Sequence, residues 1–123
     1  GVCYVYLCYG IHYLLNIVTA KENCPKAVLI RAIKPVSGID IMLERRSKIK
    51  FLKNDHIGPG KVSKSLGINL DYNKEKLNNK KIWIEEKKII EKKILAKMRI
   101  GIDYAEEDAL LPYRFILDSS ASF

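Results

Sequence analysis

The chain has 123 residues, enough for one ordinary domain, and its 48% hydrophobic and 29% charged residues exclude a disordered chain. Its 22 lysine and arginine residues exceed its 14 acidic residues, which gives a net charge of +8. That excess favours an anionic partner, nucleic acid first, although frequent lysine, isoleucine and asparagine also fit the composition of an AT-rich genome.

Apolar patterning predicts three strands in the first part of the chain, over residues 2–7, 11–19 and 27–33. Tyr9 and Gly10 separate the first two strands, and Pro35 stops the third.

Two helices are predicted next. Ser37 resembles an N-cap, with Asp40 three residues on, and predicts a helix over residues 38–53. Its buried side chains would be Ile39, Met42, Leu43, Ile49 and Leu52. Pro59 predicts the first residue of a second helix, which ends at Gly67.

The rest of the chain returns to strands. Residues 71–81 are polar and predict one helical turn plus a loop, and residues 81–86 alternate as a strand. Two strands are expected within residues 89–102 and a last one over residues 113–117. Strands that flank a central helical block predict the α+β class with a largely antiparallel sheet.

Three cysteines without framework spacing predict reduced thiols in an intracellular protein, in the bacterial cytoplasm (nucleoid) or in a eukaryotic nucleus. No histidine or cysteine lies in a ligand motif, so we expect no metal and no other cofactor. The apolar stretch 2–20 contains Gly10, His12 and Asn16 among β-branched and aromatic residues, which favours strands over a membrane span.

The tyrosines of the first hairpin form one candidate site. Tyr4 and Tyr6 share a strand face, whereas Tyr9 lies beside Gly10 and is expected to project from the hairpin tip. An aromatic ring at a tip can replace the stacking of a base that has left the duplex. The alternative is that all three tyrosines are core residues with hydrogen-bonded hydroxyls.

Two polar residues within apolar strands admit two interpretations each. Asn16 is either a structural amide that ties two strands or a group that contacts a base edge. Arg31 needs an acidic partner or an anion, which could be a core carboxylate or a catalytic one.

The third candidate is Gly58-Pro59-Gly60-Lys61 at the start of the second predicted helix. Free amides at a helix N-terminus attract phosphate, and Lys61 adds a positive charge. The Walker A pattern is absent, and such a sequence is also common as a plain turn and cap. No Ser/His/Asp set or carboxylate pair is apparent.

Four segments together resemble the alkyladenine (3-methyladenine) DNA glycosylase family. They are YVYLCYGIHYLLNIVT at 4–19, AVLIRAIKP at 27–35, GPGKVSKSLGI at 58–68 and RIGIDYAEEDALLPYRF at 99–115. The resemblance implies a single α+β domain with a curved, largely antiparallel sheet and peripheral helices, and no metal. It implies a monofunctional glycosylase that binds double-stranded DNA as a monomer, flips out an alkylated or deaminated purine and excises it in base excision repair.

The resemblance also assigns roles to individual residues. Tyr9, beside Gly10, corresponds to the tyrosine that inserts into the duplex, and Tyr6 to an aromatic that stacks on the flipped base. Asn16 corresponds to the pocket asparagine that disfavours guanine, and Leu29 lines the pocket. Arg31 corresponds to the arginine beside the nucleophilic water. Lys61, with Gly58 and Gly60, would face the DNA backbone.

One part of the family pattern has no counterpart. The family's catalytic glutamate and a base-stacking histidine precede the tyrosine block, so residues 1–123 are expected to be the C-terminal part of one such domain without its catalytic segment, and inactive alone. Two alternatives stand beside this hypothesis. A non-catalytic basic module would bind RNA or DNA without preference for damage, and a purely structural role for the tyrosines predicts a buried Tyr9.

Overall fold

The apolar segments at the start of the chain form a three-stranded antiparallel sheet in the computed structural model, which describes residues 1–86 and 93–117. β1 (Cys3–Cys8) pairs with β2 (His12–Val18), and β2 pairs with β3 (Ala27–Leu29). The first two predicted strands are therefore confirmed. The third is shorter than predicted, because after Leu29 the chain leaves the sheet and Ala32 bridges to Ile57 instead.

One face of the sheet supports the main core of this part of the chain. The fully buried members are Cys3, Val5, Leu15 and Ile68, and partly buried apolar side chains surround them. Segment 73–76 covers the outer edge of β1: Cys3 N–H donates to Glu75 O at 2.8 Å, and Val5 N–H donates to Asn73 Oδ1 at 3.0 Å. Those bonds occupy backbone groups of β1 that would otherwise lie at an open sheet edge.

The first helix, α1 (Ile39–Arg45), is shorter than predicted. Its N-cap is Gly38 in the left-handed conformation and not Ser37, and no side chain caps it. Ser47 has a φ of 51°, outside the helical region, so the chain turns away and the expected extension to residue 53 is wrong.

The burial expected for this helix is also wrong. Met42 and Leu43 are half-buried, but α1 has no fully buried residue, and Ile39 is exposed. Beyond the helix, Ile49 is 98% exposed and Leu52 is also exposed. Two charged side chains of this segment, Arg46 and Lys48, turn toward the buried Asp55 instead.

The second helix, α2 (Pro59–Leu66), confirms the prediction at both ends. Pro59 occupies the first helical position, where its missing N–H costs no helical hydrogen bond. Gly67 follows in the left-handed conformation, and Ile68 N–H donates to Ser63 O at 2.8 Å, which closes the C-terminus.

A single 3₁₀ turn (Leu70–Tyr72) follows α2, in agreement with the predicted helical turn. The strand predicted over residues 81–86 is wrong, because there the structure has only an isolated bridge between Asn78 and Trp83. Residues 1–84 and the residues from 85 onward separate into two compact units, which we describe individually.

The second unit contains the antiparallel pair β4 (Ile94–Lys97) and β5 (Arg114–Leu117). The 3₁₀ segment Asp103–Leu110 lies between them and is interrupted at Glu106, which has non-helical backbone angles. The last predicted strand is confirmed, and β4 is one of the two strands expected within residues 89–102. The range predicted for the other strand includes residues 87–92, which lie outside the described residues.

The α+β class with antiparallel strands is confirmed. The described strands lie in two sheets of three and two strands and not in one curved sheet. Within the described ranges, no helix has the length and apolar character needed to cross a bilayer.

Candidate nucleic-acid interface

The tip of the β1–β2 hairpin presents an aromatic ring to solvent. Tyr9 is 90% exposed and has a φ of 52°, and Gly10 follows with a φ of 66°. A positive φ is unfavourable for a bulky residue and is common for glycine, so a tyrosine here costs about 1–2 kcal/mol. The predicted exposure of Tyr9 is confirmed, and a core role for this ring is wrong.

The sheet register places several predicted residues on one face. Tyr4 lies opposite Asn16, and Asn16 in turn lies opposite Leu29, so these three side chains share a face. Tyr6 is on the same face as Tyr4, with the two ring centroids 5.4 Å apart. Both tyrosines are more buried than Tyr9, as predicted.

Asn16 is 8% exposed in the middle of β2. Its Nδ2 donates to the Tyr4 carbonyl at 3.3 Å and lies 3.5 Å from the Leu14 carbonyl. The bond to Tyr4 joins β1 to β2, which gives the amide a structural role. A contact of the same amide with a base edge stays a prediction.

The start of α2 lies beside the hairpin. A Cβ added to Gly60 would be 2.8 Å from Cγ and Nδ1 of His12 and 3.2 Å from its Cβ. The imidazole therefore lies directly against the first turn of the helix, and only glycine permits this approach. The hairpin tip and the Gly58–Lys61 segment are brought together by this contact.

Lys61 is exposed on the first turn of α2. Its side chain lies close to Gly58, and its Nζ is 3.4 Å from the Asn54 carbonyl. Gly58 precedes the helix with a φ of 122°, a conformation suited to glycine. A lysine beside the free amides of a helix N-terminus is a suitable arrangement for a phosphate.

Arg31 is connected to the same segment through its backbone. Gly58 N–H donates to the Arg31 carbonyl at 2.7 Å, and Ile33 N–H donates to the His56 carbonyl at 3.1 Å. The Arg31 side chain is half-buried. Across residues 1–86 and 93–117 its guanidinium has neither a hydrogen bond nor an ion pair, so it remains available for an anion.

A buried charge cluster lies just before Gly58. Asp55 is 7% exposed, accepts from Leu52 N–H at 2.6 Å and pairs with Lys48 Nζ at 2.9 Å. Arg46 Nη1 donates to the Asp55 carbonyl at 2.7 Å and to Ser65 Oγ on α2 at 3.2 Å. The Leu52 hydrogen bond, followed by the Lys48 bond, lowers the pKa of the Asp55 carboxyl, so the group stays ionised.

The neighbouring His56 is half-buried and packs edge-on against Phe51, with ring centroids 4.2 Å apart. Among the residues that the structure describes, its Nδ1 has no hydrogen-bond partner. Burial, and then the Arg46 charge, lower the pKa of this imidazole. No group of three or more possible ligands for a metal ion is found among the described residues.

Comparison with known proteins decides the family. The methylpurine-DNA glycosylase family matches residues 1–121. The chain belongs to this family. The resemblance noted from the tyrosine block and the Gly58–Lys61 segment is thereby confirmed.

Individual relatives agree with this assignment. A chlamydial protein from Chlamydia felis, named "Putative 3-methyladenine DNA glycosylase", is 48% identical over 125 residues, which cover 99% of this chain and 63% of the relative. A Chlamydia pneumoniae protein of the same name is 46% identical, with 99% and 62% covered. One from Clostridium acetobutylicum is 41% identical, with 95% and 60% covered. The chain thus spans somewhat less than two thirds of the length of these relatives.

The structure gathers the predicted site residues of this chain into two groups. Tyr6, Asn16 and Leu29 lie on one face of the sheet, and the hairpin tip, the start of α2 and Arg31 are connected by the backbone and by His12. The sequence did not predict a role for His12, because His12 lies in no ligand motif. Its position shortly after Tyr9-Gly10 could have indicated a place at the hairpin tip. Sequence reasoning also missed Asp55, because nothing in its local sequence indicates burial.

Proposed function

We propose that residues 1–84 carry the DNA-recognition surface of a DNA glycosylase that excises alkylated or deaminated purines in base excision repair. The observation that carries the proposal is Tyr9, an aromatic side chain 90% exposed at a positive-φ hairpin tip. Such a costly placement of an apolar ring is more readily explained by a binding role than by packing.

The surface around Tyr9 has the groups that base flipping requires. The Tyr9 ring enters the duplex where the nucleotide leaves, and replaces its stacking. Extrusion costs a few kcal/mol and is least costly at a damaged pair, which favours lesions. The amides at the start of α2, with Lys61 and Arg31, hold the phosphates beside the flipped nucleotide.

The sheet face that holds Tyr6 receives the base. The Tyr6 ring stacks on the extruded purine, a contact worth about 1–3 kcal/mol per base. Leu29 lines the pocket. Asn16 disfavours guanine, because the exocyclic amine of guanine conflicts with the amide, and tolerates hypoxanthine, which lacks that amine.

The reaction proposed for the family activity is hydrolysis at the sugar carbon that bears the purine. A water molecule beside Arg31 attacks that carbon as the base leaves, and a general base that removes the water proton contributes about 10²–10⁴-fold. We predict that residues 1–123 do not excise a base on their own. The amount of hypoxanthine released from a hypoxanthine-containing duplex measures this directly.

Equilibrium binding of the 123-residue chain tests the recognition surface. Fluorescence anisotropy compares a duplex that contains hypoxanthine, the same duplex without it and an RNA duplex, each at several salt concentrations. We expect affinity to fall with salt and to be highest for the hypoxanthine duplex, a preference that Tyr9→Ala removes. Equal affinities for the three would instead favour the non-catalytic basic module.

A further inference from the structure

The segment before α2 is hydrogen-bonded to the backbone of Arg31 and Ile33, and it begins at Asp55, whose carboxylate is buried. Gly58 N–H donates to the Arg31 carbonyl at 2.7 Å, and the His56 carbonyl accepts from Ile33 N–H at 3.1 Å. Asp55, at the start of the same segment, is fixed by Lys48 and by the backbone of Leu52. Asp55 precedes His56 by one residue and Gly58 by three, so a shift of Asp55 would move both hydrogen-bonded residues.

Arg46 links the same carboxylate-bearing residue to α2. Its guanidinium, with a side chain 8% exposed, donates to the Asp55 carbonyl and to Ser65 Oγ. Arg45 adds a bond from Nη1 to the Ser65 carbonyl at 3.0 Å. Segment 55–58 and the body of α2 therefore share one partly buried set of contacts with arginine side chains.

We propose that Asp55, held by Lys48 and Arg46, is a positioning residue that fixes where Arg31 and the start of α2 meet the DNA backbone. The proposal rests on the proposed function, because it concerns the same phosphate-binding groups. Asp55 itself is too buried to touch DNA, and its negative charge would repel phosphate. It acts by holding Gly58, whose amide is bonded to the Arg31 carbonyl.

The ion pair of Asp55 with Lys48 offers a matched test. Lys48→Met and Lys50→Met each remove one positive charge from the same loop, two residues apart. Only Lys48 contacts Asp55; for the exposed Lys50, the described parts of the chain contain no bonded partner. Lys48→Arg retains both the charge and the ability to pair with the carboxylate.

We expect Lys48→Met to weaken binding of a hypoxanthine-containing duplex about tenfold more than Lys50→Met does, with Lys48→Arg close to the unmodified chain. Asp55→Asn adds one unit of positive net charge, which by itself strengthens DNA binding, yet we expect it to weaken binding. Asp71→Asn, at an exposed acid, gives the same change in charge and should not weaken it.

Amide hydrogen exchange separates positioning from general destabilisation. In Lys48→Met and Asp55→Asn, exchange at the Gly58 and Ile33 amides should rise about tenfold. The Ile30 amide, bonded to the Leu15 carbonyl at 2.9 Å in the same unit, should not change. A parallel rise at Ile30 would mean a merely structural role and would overturn the proposal.

The binding results distinguish the two proposals. If the unmodified chain binds DNA and Lys48→Met and Lys50→Met lose affinity equally, the positioning role is overturned while the proposed function stands. If the unmodified chain binds no DNA, the proposed function fails, and with it the DNA role of Asp55, whatever hydrogen exchange shows for Gly58.

Discussion

Gly60→Ala tests the contact that joins the hairpin tip to α2. The new Cβ would lie 2.8 Å from His12 Cγ and Nδ1 and 3.2 Å from His12 Cβ. Rotation about χ1 of His12 can remove the ring from the new methyl group, but it leaves the 3.2 Å contact in place. We therefore expect the two elements to be forced apart.

The expected change in the free energy of unfolding follows from two opposing effects. Overpacking of this kind costs about 1–3 kcal/mol. Gly60 has no positive φ, so alanine also gains up to about 1 kcal/mol of helix propensity. The net expectation is a loss of about 1–2 kcal/mol in the free energy of unfolding, measured by urea denaturation, with weaker DNA binding by the folded protein.

A double-mutant cycle with His12→Ala provides the control. Once the imidazole is absent, the two 2.8 Å contacts are removed and only the 3.2 Å contact with Cβ remains, so Gly60→Ala should cost less stability than it does in the unmodified chain. If Gly60→Ala stabilises the unmodified chain, or costs as much in the His12→Ala background, the proposed contact does not exist.

Three further outcomes are expected. Tyr9→Ala should weaken binding of lesion-bearing duplexes at least tenfold but change the melting temperature little, because the ring is exposed; a large loss of stability would contradict this. In a full-length relative, the variant equivalent to Asn16→Ala should excise guanine more readily, and unchanged base preference would make the amide purely structural. His56 has a lowered pKa, so its stabilising contribution is complete above the unfolded pKa of about 6.5 and is lost as pH falls below it. His56→Phe should therefore flatten the fall in stability between pH 7.5 and 5.5, and an unchanged slope in urea denaturation would refute this.

The features that the sequence predicted correctly are those encoded by neighbouring residues. Nearly continuous runs of apolar and aromatic residues define β1 and β2, Tyr9-Gly10 marks the turn between them, and Pro59 with Gly67 bounds α2. Each signal acts within a few residues of the feature it specifies, so local physical rules are sufficient.

The failures arise where distant contacts override local preference. Residues 38–53 have a helical apolar pattern, yet the chain turns at Ser47, and Lys48 reaches the buried Asp55. The chain beyond Leu29 pairs with the segment before α2 and not with β2. Neither event has a local signature, because the partners lie 7 and about 25 residues apart in sequence.

The site shows the same division. The position of Tyr9 at a tip could be inferred from its glycine neighbour, whereas the pairing of Asn16 with Leu29 follows only once the strand register is known. The contact of His12 with Gly60 required the packing of α2 against β2.

The location of the DNA interface is tested most directly by amide chemical-shift changes when the 123-residue chain binds a hypoxanthine-containing duplex. We expect the largest changes at Tyr9, Gly10, Gly58 and Gly60, the residues at the hairpin tip and the start of α2. Changes confined to the lysine-rich segment 74–80, with these four amides unaffected, would contradict the account.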